Sequence, residues 1–349
     1  MKRILLLTIT LAFTALLLSS CNLVDNITGS DDSVDLYPVR IDGEWGYIDK
    51  EGKIVLEPEF QNAGDFKNGM APVRHSWGWK YINKKGEIKV EGNFSNIRPF
   101  SGDKAAVQFE GRWGYINKSG SFVINPKFRS ASDFSDGRAF VRSINYSSYY
   151  YIDENGSRIE AVGLPSDMDY VEESEFRNGR AMVRDGDMYG YIDKSGNTVI
   201  ELKYPEARPF NDQLAAVRVS DRWGFIDSKG QVEISPQFIS VGDFGNGLAP
   251  ARVNTNSFGY IDKSGQVVIE EQYQQAGTFN EDRAPVLIND KWTFIDKSGN
   301  QITSPKFDEV EPFYNGLARV TIYVPVEDEI EENYGYINKA GKYVWFPTR

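Results

Sequence analysis

The side chains that most often perform catalysis or bind metals are scarce in this sequence of 349 residues. It contains one histidine, His75, and one cysteine, Cys21. A zinc site, a disulfide framework, a c-type haem site or an iron–sulfur cluster needs more of these ligands. A general-base role for His75 needs a nucleophile and an orienting partner that the spacing does not reveal. His75 is therefore interpreted as an exposed turn residue.

Carboxylates are the one abundant reactive group, and six aspartates recur at a fixed place in a repeated phrase. They are Asp49, Asp153, Asp193, Asp227, Asp262 and Asp296, and asparagine takes the same place at Asn83, Asn117 and Asn338. Because asparagine is tolerated there, a hydrogen-bonding turn residue is favoured over a calcium ligand or a pair of catalytic carboxylates. We expect no catalytic residue, no metal site and no cofactor.

The charge balance bears on the kind of partner. The chain has 39 Lys and Arg against 50 Asp and Glu, a net charge of −11. Nucleic acid is bound chiefly through Lys and Arg that neutralise phosphates, so a nucleic-acid partner is not expected. The apolar fraction of 40% is sufficient for a folded core.

A phrase of the form aromatic-x-aromatic-Ile-Asp/Asn organises the rest of the chain. It recurs nine times, 34 to 42 residues apart, and its first residues are Trp45, Trp79, Trp113, Tyr149, Tyr189, Trp223, Phe258, Trp292 and Tyr334. Each phrase leads through a short polar step to a glycine, then usually to an apolar triplet. Several copies continue with Pro-x-Phe, and most carry a further Phe before a small apolar strand. A regular period of this length is typical of a repeat architecture.

One repeat is predicted to be a three-stranded antiparallel meander followed by a loop of about a dozen residues that carries Pro-x-Phe and Phe-x-x-Gly. In Asp193-Lys194-Ser195-Gly196, Asp first and Gly fourth suit a hairpin turn with the glycine at positive φ. Tyr191-Ile192 and 198–200 are then paired strands. The glycine that follows Trp45 is interpreted as room for a neighbouring aromatic ring. Both faces of the meander carry apolar side chains, so neighbouring repeats must pack together, with the nine aromatic residues as anchors of that core.

These residues resemble the bacterial WG-repeat proteins, whose unit reads roughly WGYIDK-x-G, an apolar strand, P-x-F and F-x-x-G-x-A. The likeness spans about residues 36–349 and departs from the pattern at Lys80, Tyr150 and Thr293, which replace the glycine. The resemblance implies an extracytoplasmic or interaction repeat without assigned chemistry. The predicted fold class is all-β, with tandem meanders stacked as an open superhelical array; a closed propeller-like ring is the alternative.

The amino terminus is predicted to be an export signal. Met1-Lys2-Arg3 is basic, residues 4–18 are apolar, and Leu18-Ser19-Ser20-Cys21 follows. This step resembles a bacterial lipobox, in which the cysteine receives acyl chains such as palmitate. We expect residues 1–20 to be a lipoprotein signal peptide, 21–35 a flexible acidic tether and 36–349 nine WG-type repeats. The lipid on Cys21 would hold the protein on the extracytoplasmic face of a bacterial membrane.

The two longest interruptions of the repeat are the candidate interaction loops. Residues 160–175 lengthen the fourth repeat and include Met168 and Tyr170, and residues 324–333 insert an acidic loop that includes Glu327, Asp328 and Glu329. The hypothesis is a non-catalytic scaffold for protein–protein interaction at the cell envelope. The alternatives are a module that binds wall glycan through exposed aromatic rings and, third, an envelope hydrolase. The partner, an envelope protein or a glycan, is not identified by the sequence.

Replacing Cys21 by alanine is expected to abolish acylation, because the chain has no other thiol. Metabolic labelling with palmitate and fractionation of the cells would measure it, with the protein moving from the membrane to the soluble fraction. The matched variant Ser20→Gly keeps a small residue before the cysteine and should stay labelled. Equal labelling of Cys21→Ala and the parent protein would contradict a lipid on this residue.

Overall fold

The fold is described from a computed structural model, over residues 34–76, 78–144, 149–160, 175–254, 256–326 and 329–348. These stretches are built from 31 β-strands in eight antiparallel sheets. None of their segments is a helix long and apolar enough to span a membrane. The all-β prediction is confirmed.

Nine units follow one another, one for each aromatic phrase. The first four comprise β1 (Tyr37–Ile41), β2 (Glu44–Ile48) and β3 (Ile54–Phe60); β4 (Asn62–Ala63), β5 (Met70–His75), β6 (Gly78–Asn83) and β7 (Ile88–Glu91); β8 (Phe94–Ile97), β9 (Lys104–Phe109), β10 (Arg112–Asn117) and β11 (Phe122–Ala131); and β12 (Ala139–Ser143), β13 (Tyr149–Ile152) and β14 (Arg158–Ile159). The long strand β11 pairs with β10 of unit 3 and with β12 of unit 4, which joins these two units in one sheet.

Units 5 to 9 repeat the same order. They comprise β15 (Arg180–Asp185), β16 (Met188–Asp193) and β17 (Thr198–Tyr204); β18 (Ala215–Val219), β19 (Arg222–Ile226) and β20 (Val232–Phe238); β21 (Ser240–Val241), β22 (Leu248–Arg252), β23 (Phe258–Asp262) and β24 (Val267–Tyr273); β25 (Gln275–Ala276), β26 (Ala284–Ile288) and β27 (Lys291–Ile295); and β28 (Glu309–Val310), β29 (Leu317–Val326), β30 (Glu329–Asn338) and β31 (Tyr343–Thr348). The Pro-x-Phe step belongs to the third long strand of a unit, such as β20, and was wrongly assigned to a loop.

The hairpin turn after each phrase is formed as predicted. In unit 5 the Asp193 carboxylate accepts hydrogen bonds from the backbone N–H groups of Ser195, at 2.8 Å, and Asn197, at 2.9 Å. Gly196 has φ of 86°, a conformation in which any β-carbon is penalised. Ile192 pairs with Thr198 and Tyr191 with Ile200, the two strands expected from the sequence.

The glycine within the phrase is required by the close approach of a neighbouring backbone and not by an aromatic ring. A β-carbon on Gly46 would lie 2.5 Å from the carbonyl oxygen of Leu56, and one on Gly224 would lie 2.6 Å from that of Ile234. In both units the third strand is bulged opposite the glycine and comes close to it. The prediction that this glycine makes room for an aromatic ring is therefore wrong.

The three units that lack this glycine have a shortened third strand. Lys80 faces β7 of only four residues, and Tyr150 stands before β14 of only two. Thr293 has no third strand opposite it, only isolated bridges such as Ile295 to Gln301. A side chain at this position thus excludes the close strand approach that glycine permits.

The core lies between units and is centred on the third residue of each phrase. Tyr47, Tyr115 and Tyr191 are fully buried, whereas Trp45 and most other first residues of the phrase are only half-buried. Successive residues serve opposite faces, since Tyr115 packs between units 3 and 4 and Ile116 between units 2 and 3. The need for packing on both faces is confirmed.

Eight apolar clusters follow one another, and each joins two consecutive units. The ninth cluster joins the last unit to the first, with Leu317 and Tyr336 against Tyr37 and Ile48. The open superhelical array predicted from the sequence is therefore wrong, and the nine units form a closed ring. The rotation from one unit to the next accumulates until the last unit meets the first.

Gly224→Ala is expected to destabilise the protein by about 1–3 kcal/mol, because the new methyl group meets the backbone of β20. The matched control is Ser235→Ala, at an exposed position of the same strand β20, where removal of a hydroxyl is expected to cost below about 0.5 kcal/mol. Chemical denaturation measures both. Equal losses would contradict the role of the close strand approach.

Closure of the ring is expected to couple Trp45 of unit 1 to Tyr334 of unit 9, whose rings stack with centroids 5.6 Å apart. A double-mutant cycle with Trp45→Ala and Tyr334→Ala should give a coupling free energy of about 0.5–1.5 kcal/mol in denaturant unfolding. The control cycle pairs Tyr334→Ala with Trp113→Ala in unit 3, where the effects should add. Additive effects in the first cycle would argue that units 1 and 9 are apart.

Candidate functional site

A wide cavity lies where the ring closes, between unit 1 and unit 9. Its volume is about 950 Å³, against about 330 Å³ for a second cavity at units 5 and 6. We call it the closure cleft. Unit 1 contributes Arg40, Ile41, Asp42, Gly43 and Trp45, and unit 9 contributes Glu309, Val310, Glu311, Arg319, Thr321, Glu331, Glu332 and Tyr334.

Two stacked aromatic rings form one wall of the closure cleft. The planes of Trp45 and Tyr334 are inclined by 19°. The guanidinium of Arg319 lies 5.7 Å from the centre of the Tyr334 ring and is also paired with Glu311. Burial raises the pKa of Tyr334, so this hydroxyl stays protonated at neutral pH. The wall combines a flat apolar surface with a neutralised cation.

Carboxylates dominate the remainder of the cleft, which has five acidic side chains and two arginines. Glu309 accepts a hydrogen bond of 2.6 Å from the Tyr323 hydroxyl, and this bond raises the pKa of Tyr323 to about 12. Asp42 and Glu332 are exposed. The cleft thus presents negative charge to solvent and suits a cationic ligand.

The acidic insertion of unit 9 is a strand extension and not the loop predicted from the sequence. β29 and β30 stay paired from Leu317 and Asn338 outwards to Val326 and Glu329. The longer hairpin exposes Ile330, at 73% of its surface, beside the cleft residues Glu331 and Glu332. Of the three predicted interaction residues here, Glu327 and Asp328 lie outside the described residues, and Glu329 is in β30.

The other residues singled out in the sequence are dispersed. Cys21, Trp77, Met168 and Tyr170 lie outside the described residues. His75 is in β5, where its Nδ1 is 2.9 Å from the Ser76 hydroxyl, and it does not line the closure cleft. Most of the nine phrase aromatics are half-buried around the ring; they are Trp45, Trp79, Trp113, Tyr149, Tyr189, Phe258, Trp292 and Tyr334, with Trp223 buried.

Metal-ligating side chains do not converge in the described stretches. No group of three or more His, Cys, Asp or Glu there could hold a metal ion. The turn aspartates are each used within their own hairpin, as at Asp262, whose pKa is lowered chiefly by a hydrogen bond from Ser264.

Sequence reasoning missed the closure cleft, because its two walls are almost 300 residues apart. Asp42, Glu309 and Glu311 belong to ordinary turns and short strands and carry no motif. One signal was present: the last Pro-x-Phe step reads Pro347-Thr348-Arg349, so the ring that ends several other copies, such as Phe128 and Phe238, is replaced.

Comparison with solved structures supports the fold alone. A eukaryotic initiation factor aligns with a TM-score of 0.60 at 12% identity, over 90% of this chain and 95% of its own. Saccharomyces cerevisiae Sqt1 aligns at 10% identity over 83% and 96% of the two chains, with a TM-score of 0.40, and Kluyveromyces lactis Hsv2 at 9% over 68% and 94%, with a TM-score of 0.39. No curated protein matches the sequence.

The family comparison agrees with the repeated phrase. The family model described as WG containing repeat matches seven segments, residues 45–76, 79–113, 113–145, 189–223, 223–255, 258–292 and 292–322. These segments make up more than half of the chain and begin at, or next to, the aromatic phrases. The chain therefore belongs to the family of WG-containing repeat proteins.

Proposed function

We propose that this protein is a non-catalytic, lipid-anchored scaffold of the bacterial cell envelope, which binds a partner protein at the closure cleft. Its nine units would form a propeller-like ring held at the membrane by acyl chains on Cys21. The single observation that carries the proposal is the closure cleft itself, an acidic cavity of about 950 Å³ where the last unit of the ring meets the first.

The composition of the cleft favours a protein as the ligand. Charged residues line both sides and an aromatic pair forms a wall, a combination that suits basic and apolar side chains of a polypeptide. The exposed Ile330 and Tyr323 on the extended hairpin β29–β30 add apolar contact area next to the cleft. Together they offer a continuous surface on one side of the ring.

A glycan ligand is less well supported. Stacking on sugar rings needs exposed aromatic faces, and four of the described tryptophans, Trp45, Trp79, Trp113 and Trp292, are half-buried, while Trp223 is 9% exposed. The regular spacing of these tryptophans follows from the packing of each unit against the next. An envelope hydrolase is less well supported as well, because it would need a carboxylate pair at a set separation, and the recurrent turn aspartates instead accept hydrogen bonds within their own hairpins, as Asp193 does.

The test is affinity capture with the full chain in detergent, against solubilised envelope proteins and against purified wall polymer. We expect protein partners to be captured, and their capture to be lost in the charge-reversed variant E309K/E332K. The matched control E201K/E233K carries the same charge change at exposed positions of β17 and β20. It should capture partners as the parent does.

Two results would overturn this proposal. One is capture of wall polymer alone, which would favour the glycan alternative. The other is capture of the same proteins by E309K/E332K and by the parent, which would move the binding surface away from the cleft.

A further inference from the structure

Two kinds of turn meet on one face of the ring, which we call the turn face. One kind is the hairpin turn that follows each phrase, and the other precedes the first long strand of a unit, as in Phe134-Ser135-Asp136-Gly137. Hydrogen bonds join the two kinds across unit boundaries. The Arg138 guanidinium donates to the carbonyl of Lys194 at 2.9 Å. In the same way, Arg283 donates to the carbonyl of Lys339 at 3.0 Å. The turn face therefore continues from one unit to the next.

The part of the chain that the structure describes begins on the turn face. The Asp35 carboxylate accepts a hydrogen bond of 3.1 Å from the Asn315 side chain of unit 9 and lies 4.0 Å from the Lys84 ammonium of unit 2. Both partners belong to turns of this face. Residues 21–33, which lead to the predicted lipid anchor, therefore join the ring at the turn face and span at most about 45 Å. With the opposite face towards the lipid, this tether would first have to pass the ring itself.

The two faces of the ring differ in charge. At the other end of the strands, a connection of two to five residues joins the first long strand of each unit to the second. No connection contains Lys or Arg, and six of the nine contain acidic residues, namely Asp42, Glu110, Asp187, Asp221, Asp290, Glu327 and Asp328. The hairpin turns of the turn face contain lysine in eight of the nine units. An anionic lipid surface therefore repels the connections and attracts the turns.

Several lysines of the turn face have charges that no acid compensates. Some are paired, as Lys263 is with Asp212 at 2.9 Å. Five others, which we call the free lysines, are exposed and make no ion pair within the described residues: Lys53, Lys85, Lys118, Lys229 and Lys342. The exposed acids of the hairpin turns are each paired with a lysine; they are Glu51, Glu87 and Glu154. The turn aspartates are half-buried and accept hydrogen bonds from backbone N–H groups, as Asp193 does.

An exposed aromatic ring lies beside the point where the tether joins the ring of units. Tyr314 precedes Asn315, the partner of Asp35, and is 46% exposed. Tyrosine is enriched at membrane–water interfaces, because its ring is apolar and its hydroxyl remains hydrated. The turn face thus combines the entry of the tether, exposed lysines and an interfacial aromatic residue.

We infer that the ring lies with its turn face against the membrane, where the free lysines contact the phosphates of anionic phospholipids. The inference rests on the lipid anchor of the proposed function and specifies the orientation of the ring that this anchor holds. The closure cleft includes Asp42 and Gly43, a connection of the opposite face. The cleft would then open away from the lipid, where a partner protein can reach it.

The experiment uses the acylated full chain in vesicles rich in phosphatidylglycerol and in vesicles of phosphatidylcholine alone. Acylation of Cys21 consumes the only native thiol, so a fluorophore can be placed on Ser119→Cys, in a hairpin turn, or on Ser76→Cys, in a connection. Energy transfer to an acceptor on the lipid headgroups measures which face is nearer the membrane. With phosphatidylglycerol we expect about twofold higher transfer from position 119 than from position 76, and a smaller difference with phosphatidylcholine.

Charge reversal tests the role of the free lysines. K85E/K229E should reduce the difference between the two positions to that seen in phosphatidylcholine, because two attractive charges become repulsive. The matched control K127E/K203E has the same charge change at exposed positions of β11 and β17 and should keep the difference. If the reversed protein fails to fold, K85Q/K229Q replaces it, with a smaller loss in the same direction.

Three results would overturn the inference: equal transfer from the two positions in phosphatidylglycerol vesicles, higher transfer from position 76, or an unchanged difference in K85E/K229E. Failure of the proposed function is distinguishable from these. If the acylated protein captures envelope proteins but shows no preferred face, the scaffold stands and only the orientation falls. If Cys21 carries no acyl chain and the vesicles do not retain the protein, the anchor and the orientation fall together.

Discussion

One contact recurs around the ring, and the rest of the structure depends on it. The aromatic third residue of a phrase packs with its ring steeply inclined to that of a phenylalanine of the next unit, as Tyr115 does with Phe134 at a centroid distance of 4.7 Å. The Tyr115 hydroxyl also donates to the carbonyl of Ser132, at 2.9 Å. A buried hydroxyl without an acceptor would be costly, so the ring and the acceptor must come together. This contact fixes where each unit sits relative to the next.

The glycine of the phrase makes a second contact possible, within each unit. It lets the third strand come within van der Waals reach of the backbone, which brings the aromatic residue that ends the strand, such as Phe238, opposite the first residue of the phrase, Trp223. Units with Lys80, Tyr150 or Thr293 in its place keep the inter-unit contact but shorten the third strand. The fold tolerates these departures because its stability is divided among nine similar boundaries.

The boundary between units 9 and 1 has a different aromatic contact from the other boundaries. There the rings of Tyr37 and Tyr336 lie 5.7 Å apart, and the Tyr336 hydroxyl donates to the carbonyl of Pro38 at 2.9 Å. The closure cleft lies at this boundary, beside the long acidic hairpin of unit 9. A regular ring of like units offers few distinguishing features, so the irregular boundary is the natural location for specific binding.

The sequence by itself determined the units. Local chemistry was sufficient for the hairpin turns, because a carboxylate such as Asp193 and a glycine at positive φ act within five residues. The period of the aromatic phrase was sufficient for the number of units and for the need to pack on both faces. The period was not sufficient to tell which aromatic residue is most buried, because Trp45 and Tyr47 are two positions apart and lie on the same face of the strand.

Only the tertiary structure decided the closed ring, the role of Gly46 and the closure cleft. Whether nine units close depends on a small rotation at each boundary, and no residue pattern within one unit specifies its sum. Gly46 is constrained by a carbonyl ten residues away in an adjacent bulged strand. The cleft joins Asp42 to Glu332, residues that become neighbours only because the two ends of the chain meet.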